Sequence, residues 1–111
     1  MHPQTAYKIL TPLEFEQLRA GTFNGAPVDV ADGYIHLSTA TQLDETLTKH
    51  FAGRDDLIIA AISLPLLGAA LRWEVSRGGD LFPHYYGRLE MQHVSAHCTI
   101  ARDKQGRARL P

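Results

Sequence analysis

Residues Leu57–Leu64 read LIIAAISL, an almost uniformly apolar run between Asp55-Asp56 and Pro65. A strand with one wet face would place a polar side chain at every second position. This run does not, so it is expected to be a central strand covered on both faces. The run is too short to span a bilayer and Pro65 breaks it.

The length of 111 residues predicts one domain over 1–111, with room for a single core. An apolar fraction of 44% and a charged fraction of 21% are those of an ordinary soluble globule. A net charge of -1 gives no electrostatic reason to expect nucleic-acid or membrane-surface binding. The single cysteine, Cys98, rules out an internal disulfide and fits a reducing compartment. It shares one side of an alternating stretch with Val94, Ala96 and Ile100, and reads as a buried structural thiol. The N-terminal MHPQTAYKIL lacks the charged and apolar regions of a signal peptide. A cytoplasmic location is the expectation.

Around the central strand the pattern predicts short alternating elements. Tyr7–Leu10 reads as a strand that ends at Thr11-Pro12-Leu13-Glu14, a threonine cap with proline first and glutamate third. The helix so started is expected to run to Ala20, to bury Leu13, Phe15 and Leu18 in part, and to stop at Gly21. Thr22–Asp32 reads as a loop. Tyr34–Ser38 alternates, with Ile35 and Leu37 on one face and Tyr34, His36 and Ser38 on the other. Thr39 with Gln42 reads as a second capping box, opening a helix with Leu43, Leu47 and Phe51 at helical spacing. Pro65–Ala70 is a connection or single helical turn. Leu71–Val75 is expected to point Leu71, Trp73 and Val75 inward, with Arg72 and Glu74 opposite. Ser76–Gly87 reads as loop, and Leu89–Met91 and Val94–Arg102 read as further strands. Residues 103–111 are expected to be frayed.

Two segments carry residue types that a packed core does not require: DGYIHLST at Asp32–Thr39 and SRGGDLFPHYYG at Ser76–Gly87. His36 is placed just before a predicted helix N-terminus, whose unpaired amides and dipole favour an anion near Ser38 and Thr39. The competing account is a half-buried histidine bonded to backbone, with Ser38 or Thr39 merely capping. Arg77 beside Gly78 and Gly79 pairs a guanidinium suited to phosphate or carboxylate with backbone that a ligand can approach closely. A tight turn with a solvated arginine explains the same residues. His84 lies among Phe82, Tyr85 and Tyr86, whose rings suit a planar ligand or, alternatively, plug the core. Glu74 is the carboxylate best placed to orient Arg77 or a histidine. Asp32 belongs either to the site or only to the turn into Gly33. A site with His36, His84 and a carboxylate as metal ligands is a further alternative, but the chain has no HxH, HExxH or CxxC spacing, and no metal is expected.

The opening YKIL, DGYIHLST, Gln42…Thr46…Phe51-Ala52-Gly53, LRWEVSRGG and FPHYYG together resemble the signature of a bacterial family of unknown function, family 952. That family is grouped by fold with the ADP-ribosyltransferases. The resemblance implies an α+β domain: an ADP-ribosyltransferase-like split, mainly antiparallel β-sheet with two main helices and a cleft between its halves. It also implies NAD or another nucleotide as substrate, with Tyr34 or His36 lining the nicotinamide pocket and Arg77 facing the phosphates. On this reading His36, His84 and Arg77 are the catalytic candidates. Tyr34, Ser38, Thr39, Glu74, Gly78, Gly79, Tyr85 and Tyr86 bind the ligand. The better-known enzymes of that superfamily have a late glutamate, for which this chain offers only Glu74 and Glu90. A non-catalytic module binding an anionic metabolite in the same cleft is the alternative. The partner expected in either case is a small anionic or nucleotide ligand.

Overall fold

The computed structural model describes residues 2–111, with Arg77 described by its backbone alone. Its strands form two three-stranded antiparallel sheets. The first has order β1-β3-β6, from Thr5–Leu10, Ile58–Ser63 and Val94–Thr99. The second has order β2-β5-β4, from Ile35–His36, Leu81–Tyr85 and Leu71–Val75. Helices α1 (Pro12–Ala20), α2 (Pro27–Asp32) and α3 (Leu43–His50) complete an α+β architecture. Tyr7 and Ser38 join the two sheets by exchanging backbone hydrogen bonds of 2.7 and 2.9 Å. No helix among the described residues is long and apolar enough to cross a membrane.

The apolar run is the central strand β3, and both of its faces are covered. Ala60 and Ile62 pack with Phe15 and Leu18 of α1 and with Ile35 and Tyr85 of the second sheet. Ile59 packs on the other side with Leu43 and Leu47 of α3. The first capping box forms in full: Thr11 Oγ1 accepts from Glu14 N and Glu14 Oε1 accepts from Thr11 N. Gly21 ends α1 in the left-handed conformation, φ 77°. Leu13, however, is 69% exposed, because at 100° per residue it falls on the face of α1 opposite the buried Phe15 and Leu18.

Several other expectations fail for local reasons. Thr22–Asp32 contains α2, opened by Pro27 and closed by Gly33 at φ 86°; proline first and glycine last mark even a six-residue helix. Within the strand expected over Tyr34–Ser38 the regular pairing is Ile35–His36 with β5, Leu37 N–H still bonds the Pro83 carbonyl, and Ser38 crosses to bridge Tyr7 of the first sheet. Helix α3 begins at Leu43 rather than at Thr39, because Thr39–Gln42 closes a separate turn. There Gln42 Oε1 accepts from Thr39 N, while Thr39 Oγ1 contacts Thr41 instead of capping the helix. Phe82-Pro83 lies within β5, where aromatic and imidazole side chains outweigh the turn signal of proline. Met91–His93 is a 3₁₀ turn and not part of a strand. Val75 is 70% exposed because β4 outruns the core at its hairpin end. Cys98 is half-buried, on an edge strand that leaves one flank open. Residues 103–111 are tied down, with Arg102 paired to Ala108 and the Ala108 N–H donating to Asp44 Oδ1 at 2.8 Å.

One charged group fixes α2 against both sheets. Lys8 and Asp29 are both buried and form an ion pair of 2.8 Å. Asp29 Oδ2 also accepts from Ala26 N, and Asp29 Oδ1 accepts from His36 N. Burial alone would raise the Asp29 pKa, but hydrogen bonds from His36 and the charge of Lys8 outweigh it and lower the value to about 2. A carboxyl whose folded-state pKa lies below its unfolded value of 3.8 contributes stability above that pH and loses it as pH falls toward 2. The loss corresponds to about 2 kcal/mol. Urea unfolding between pH 5 and about pH 2 is expected to show this decline in the wild type and to lack it in Asp29→Asn. At neutral pH that variant should lose about 3 kcal/mol, because Lys8 is left buried without its counter-charge.

Gly87 is required for a different reason. A Cβ there would lie 2.6 Å from Cζ and Oη of the buried Tyr85. Gly87→Ala is expected to cost about 1–3 kcal/mol in chemical denaturation through overpacking.

Candidate active site

The register of the second sheet sets three polar side chains in a row. His36 of β2 lies opposite His84 of β5, and His84 lies opposite Arg72 of β4. The imidazole centroids of His36 and His84 are 5.5 Å apart, edge to face. Two histidines from the two separate sequence motifs therefore share one site. Tyr34 stacks on His84 at 4.2 Å and 15°, and contacts His36 at 4.5 Å and Tyr86 at 5.1 Å. The Arg72 guanidinium covers the other side of the cluster, 5.0 Å from the Tyr86 ring centroid.

Each histidine has its own acidic partners. His36 Nδ1 is 2.7 Å from Asp29 Oδ1, and Nε2 is 2.9 Å from Asp32 Oδ2. Both ring nitrogens are thus engaged, and Asp32 belongs to the site as well as to the end of α2. His84 Nδ1 is 2.8 Å from Glu74 Oε1, and the same oxygen accepts a 2.7 Å bond from Tyr86 Oη. These bonds from Tyr86 and His84 hold the Glu74 carboxyl below its usual range. The reciprocal bond to Glu74 raises the Tyr86 hydroxyl. Burial, with the charges of Asp32 and Glu74, raises Tyr34.

His84 Nε2 has no protein partner among the described residues. No buried side-chain nitrogen or oxygen among those residues lacks a partner, so this nitrogen is reachable by water although the residue is only 3% exposed. His84 and His36 line a cavity of about 420 Å³ between the two sheets, walled by Tyr7, Phe51, Phe82 and Val28. That volume and apolar lining suit a small organic ligand. A carboxylate-oriented imidazole with one accessible nitrogen can accept or deliver a proton.

Of the other expected residues that are described, Ser38 lines the same cavity as the two histidines and the rest do not. Ser38 is buried between β1 and α3: its N–H donates to Tyr7 O, and its hydroxyl lies 3.1 Å from Thr46 Oγ1. With the Thr39 N–H held by Gln42, neither amide is left for an anion. Tyr85 points into the core, its ring edge on His93 at 5.8 Å, so it does not form a ligand wall. Tyr34 and Tyr86 back the histidines and are not among the residues lining the cavity. Gly78 and Gly79 adopt φ 68° and 83° in the turn after Ser76, and Ser76 lines the cavity. The Arg77 side chain lies outside the described residues. Glu90 begins the turn at Met91–His93 and receives no bond from the site, whereas Glu74 does. Among the described residues no group of three or more His, Cys, Asp or Glu is arranged to hold a metal ion.

Lys8 and Asp29 escaped the sequence reading. Lys8 shares a face of β1 with the buried Ala6 and Leu10, so a charge on the inner face was the available signal. Asp29 stands third in the helix that Pro27 opens, a position from which a carboxylate reaches back to the cap.

No curated protein matches the chain. Among solved structures it is similar to protein CC0527 from Caulobacter crescentus. The crystal structure of that protein is 40% identical, covers 95% of this chain and 93% of its own, and superposes with a TM-score of 0.85. A double mutant of CC0527 gives 38% identity with the same coverages and a TM-score of 0.84. Its solution structure gives 40% identity, 95% and 91% coverage and a TM-score of 0.79. The family model described as protein of unknown function (DUF952) matches residues 9–97, and the chain belongs to that family.

Proposed function

We propose that this protein is an enzyme of nucleotide group transfer, of ADP-ribosyltransferase-like type, with NAD or a related nucleotide as substrate. The observation that carries the reading is the Glu74–His84 pair at the cavity wall. A carboxylate fixes the imidazole through Nδ1, and the remaining nitrogen is accessible. This is the arrangement of a general acid/base, in which the carboxylate orients the ring and balances its charge when it is protonated. In this proposal the planar base of a nucleotide lies in the apolar cavity, beside the rings of Tyr7, Phe51 and Phe82. Two antiparallel sheets flanking a cleft are compatible with the fold that the sequence resemblance implies. In this proposal Arg77, next to the cavity-lining Ser76, meets the phosphates. His36 is a positioning group, because both of its nitrogens are already bonded to carboxylates.

That same engagement of His36 favours one second reading, a non-catalytic module that holds an anionic metabolite or nucleotide. The two readings part on turnover. The labelled protein is titrated with NAD while nicotinamide release is followed by chromatography. Saturable amide shifts over residues 34–39 and 76–87 together with release are expected. His84→Ala should retain binding and slow release by roughly 100-fold. Saturation without release would identify the module, and no shift at millimolar NAD would overturn the nucleotide reading.

A further inference from the structure

We infer that Tyr86 is a positioning residue that fixes His84 with its proton on Nδ1, so that Nε2 faces a ligand as a base toward an O–H group. The inference rests on the reading of His84 as the acid/base group and specifies which role it takes first.

The argument begins at Glu74 Oε1, which is shared by two neighbours at 2.7 and 2.8 Å. Tyr86 Oη can only be the donor to a carboxylate, since an ionised carboxylate has no proton to give. With Glu74 ionised, the contact to His84 Nδ1 is a hydrogen bond only if Nδ1 carries the proton. In the neutral ring Nε2 is then a bare lone pair. The ring cannot readily turn over, because Tyr34 is stacked on it at 4.2 Å and His36 meets it edge-on.

Tyr86 is itself held. The Arg72 guanidinium lies over its ring, and Arg72 is the cross-strand partner of His84. Register, stacking and hydrogen bonding therefore converge on one orientation of the Glu74 carboxylate. Tyr86 does not line the cavity, so it acts through Glu74 and does not meet the ligand there.

The chemical consequence concerns the acceptor. A hydroxyl or water in the cavity gives its proton to His84 Nε2. The O–H bond breaks, the electron pair stays on oxygen, and an N–H bond forms. The resulting imidazolium is balanced by Glu74 through Nδ1–H. A base of this kind suits an acceptor that is neutral and carries its proton on oxygen, a hydroxyl compound or water.

The test reads the tautomer directly, by long-range proton–nitrogen correlation of the imidazole rings in the ¹⁵N-labelled protein above the histidine titration range. In the wild type His84 Nε2 should resonate far downfield as a bare nitrogen, with Nδ1 in the protonated range. Tyr86→Phe, which keeps the ring under Arg72, should move both resonances toward their mean as the second tautomer becomes populated. Glu74→Gln, whose amide can donate to Nδ1, should remove the downfield Nε2 signal. A wild-type ring protonated on Nε2, or a Tyr86→Phe spectrum identical to the wild type, would overturn the inference. Because no substrate is present, the outcome is separate from the nicotinamide assay. Absence of turnover with the expected tautomers would sink the enzyme reading and leave the hydrogen-bonded orientation established.

Discussion

The carboxylate of Asp29 is the point on which the site depends. It receives the ammonium of Lys8 from β1, the amide of Ala26 at the start of α2, and both the amide and Nδ1 of His36 from β2. Strand β1 and the consecutive elements α2 and β2 are thereby referenced to one buried anion. Transferring that charge from water is costly, and only a full set of donors offsets the cost. The arrangement is correspondingly intolerant of partial loss. If any one donor is withdrawn, the remaining groups keep the desolvation penalty without the compensation.

The two histidines are organised in contrasting ways. His36 is bound at both nitrogens and works as part of the frame. His84 is bound at one nitrogen and retains chemical freedom at the other. The difference follows from the strands that carry them. β2 is short and adjoins α2, so two carboxylates of that helix reach His36. β5 is the middle strand of its sheet, so His84 is crowded by neighbours on both sides and meets only the diagonal Glu74. A shift of one residue in either pairing would reverse the inward and outward faces and separate the imidazoles.

Much of this frame was legible in the chain. The uninterrupted apolar run identified the central strand, the Thr11–Glu14 box located α1, and alternation at Tyr34–Ser38 put tyrosine and imidazole on one face. Where the reading failed, two local signals competed. Proline in Phe82-Pro83 argued for a loop, but β5 pairs through it, and the Pro83 carbonyl accepts from Leu37 N–H at 3.1 Å. Thr39 looked like a helix cap, and Gln42 does accept from its amide, but the Thr39 hydroxyl turns to Thr41 and the helix starts only at Leu43. The meeting of His36 with His84 was not legible at all, because strand register between distant segments is a property of the folded chain. The same holds for the Lys8–Asp29 pair, whose members are far apart in sequence and whose attraction becomes specific only when water has been excluded.

The exchange of backbone bonds between Tyr7 and Ser38 has a consequence for how ligand size is set. The cavity lies between two sheets that are stapled at this point, tied beside it by Lys8, which bonds the His36 carbonyl and Asp29, and otherwise held by side-chain packing, including Ile35 and Leu37 against Ala60 and Ile62. Its width is therefore governed by the dihedral angle between the sheets, with the staple as pivot. Residues deep in the core, remote from any bound molecule, act as shims: adding or removing a methyl group there opens or closes the jaws. The space beside the two histidines is thus set by packing remote from them as well as by the polar groups of the site.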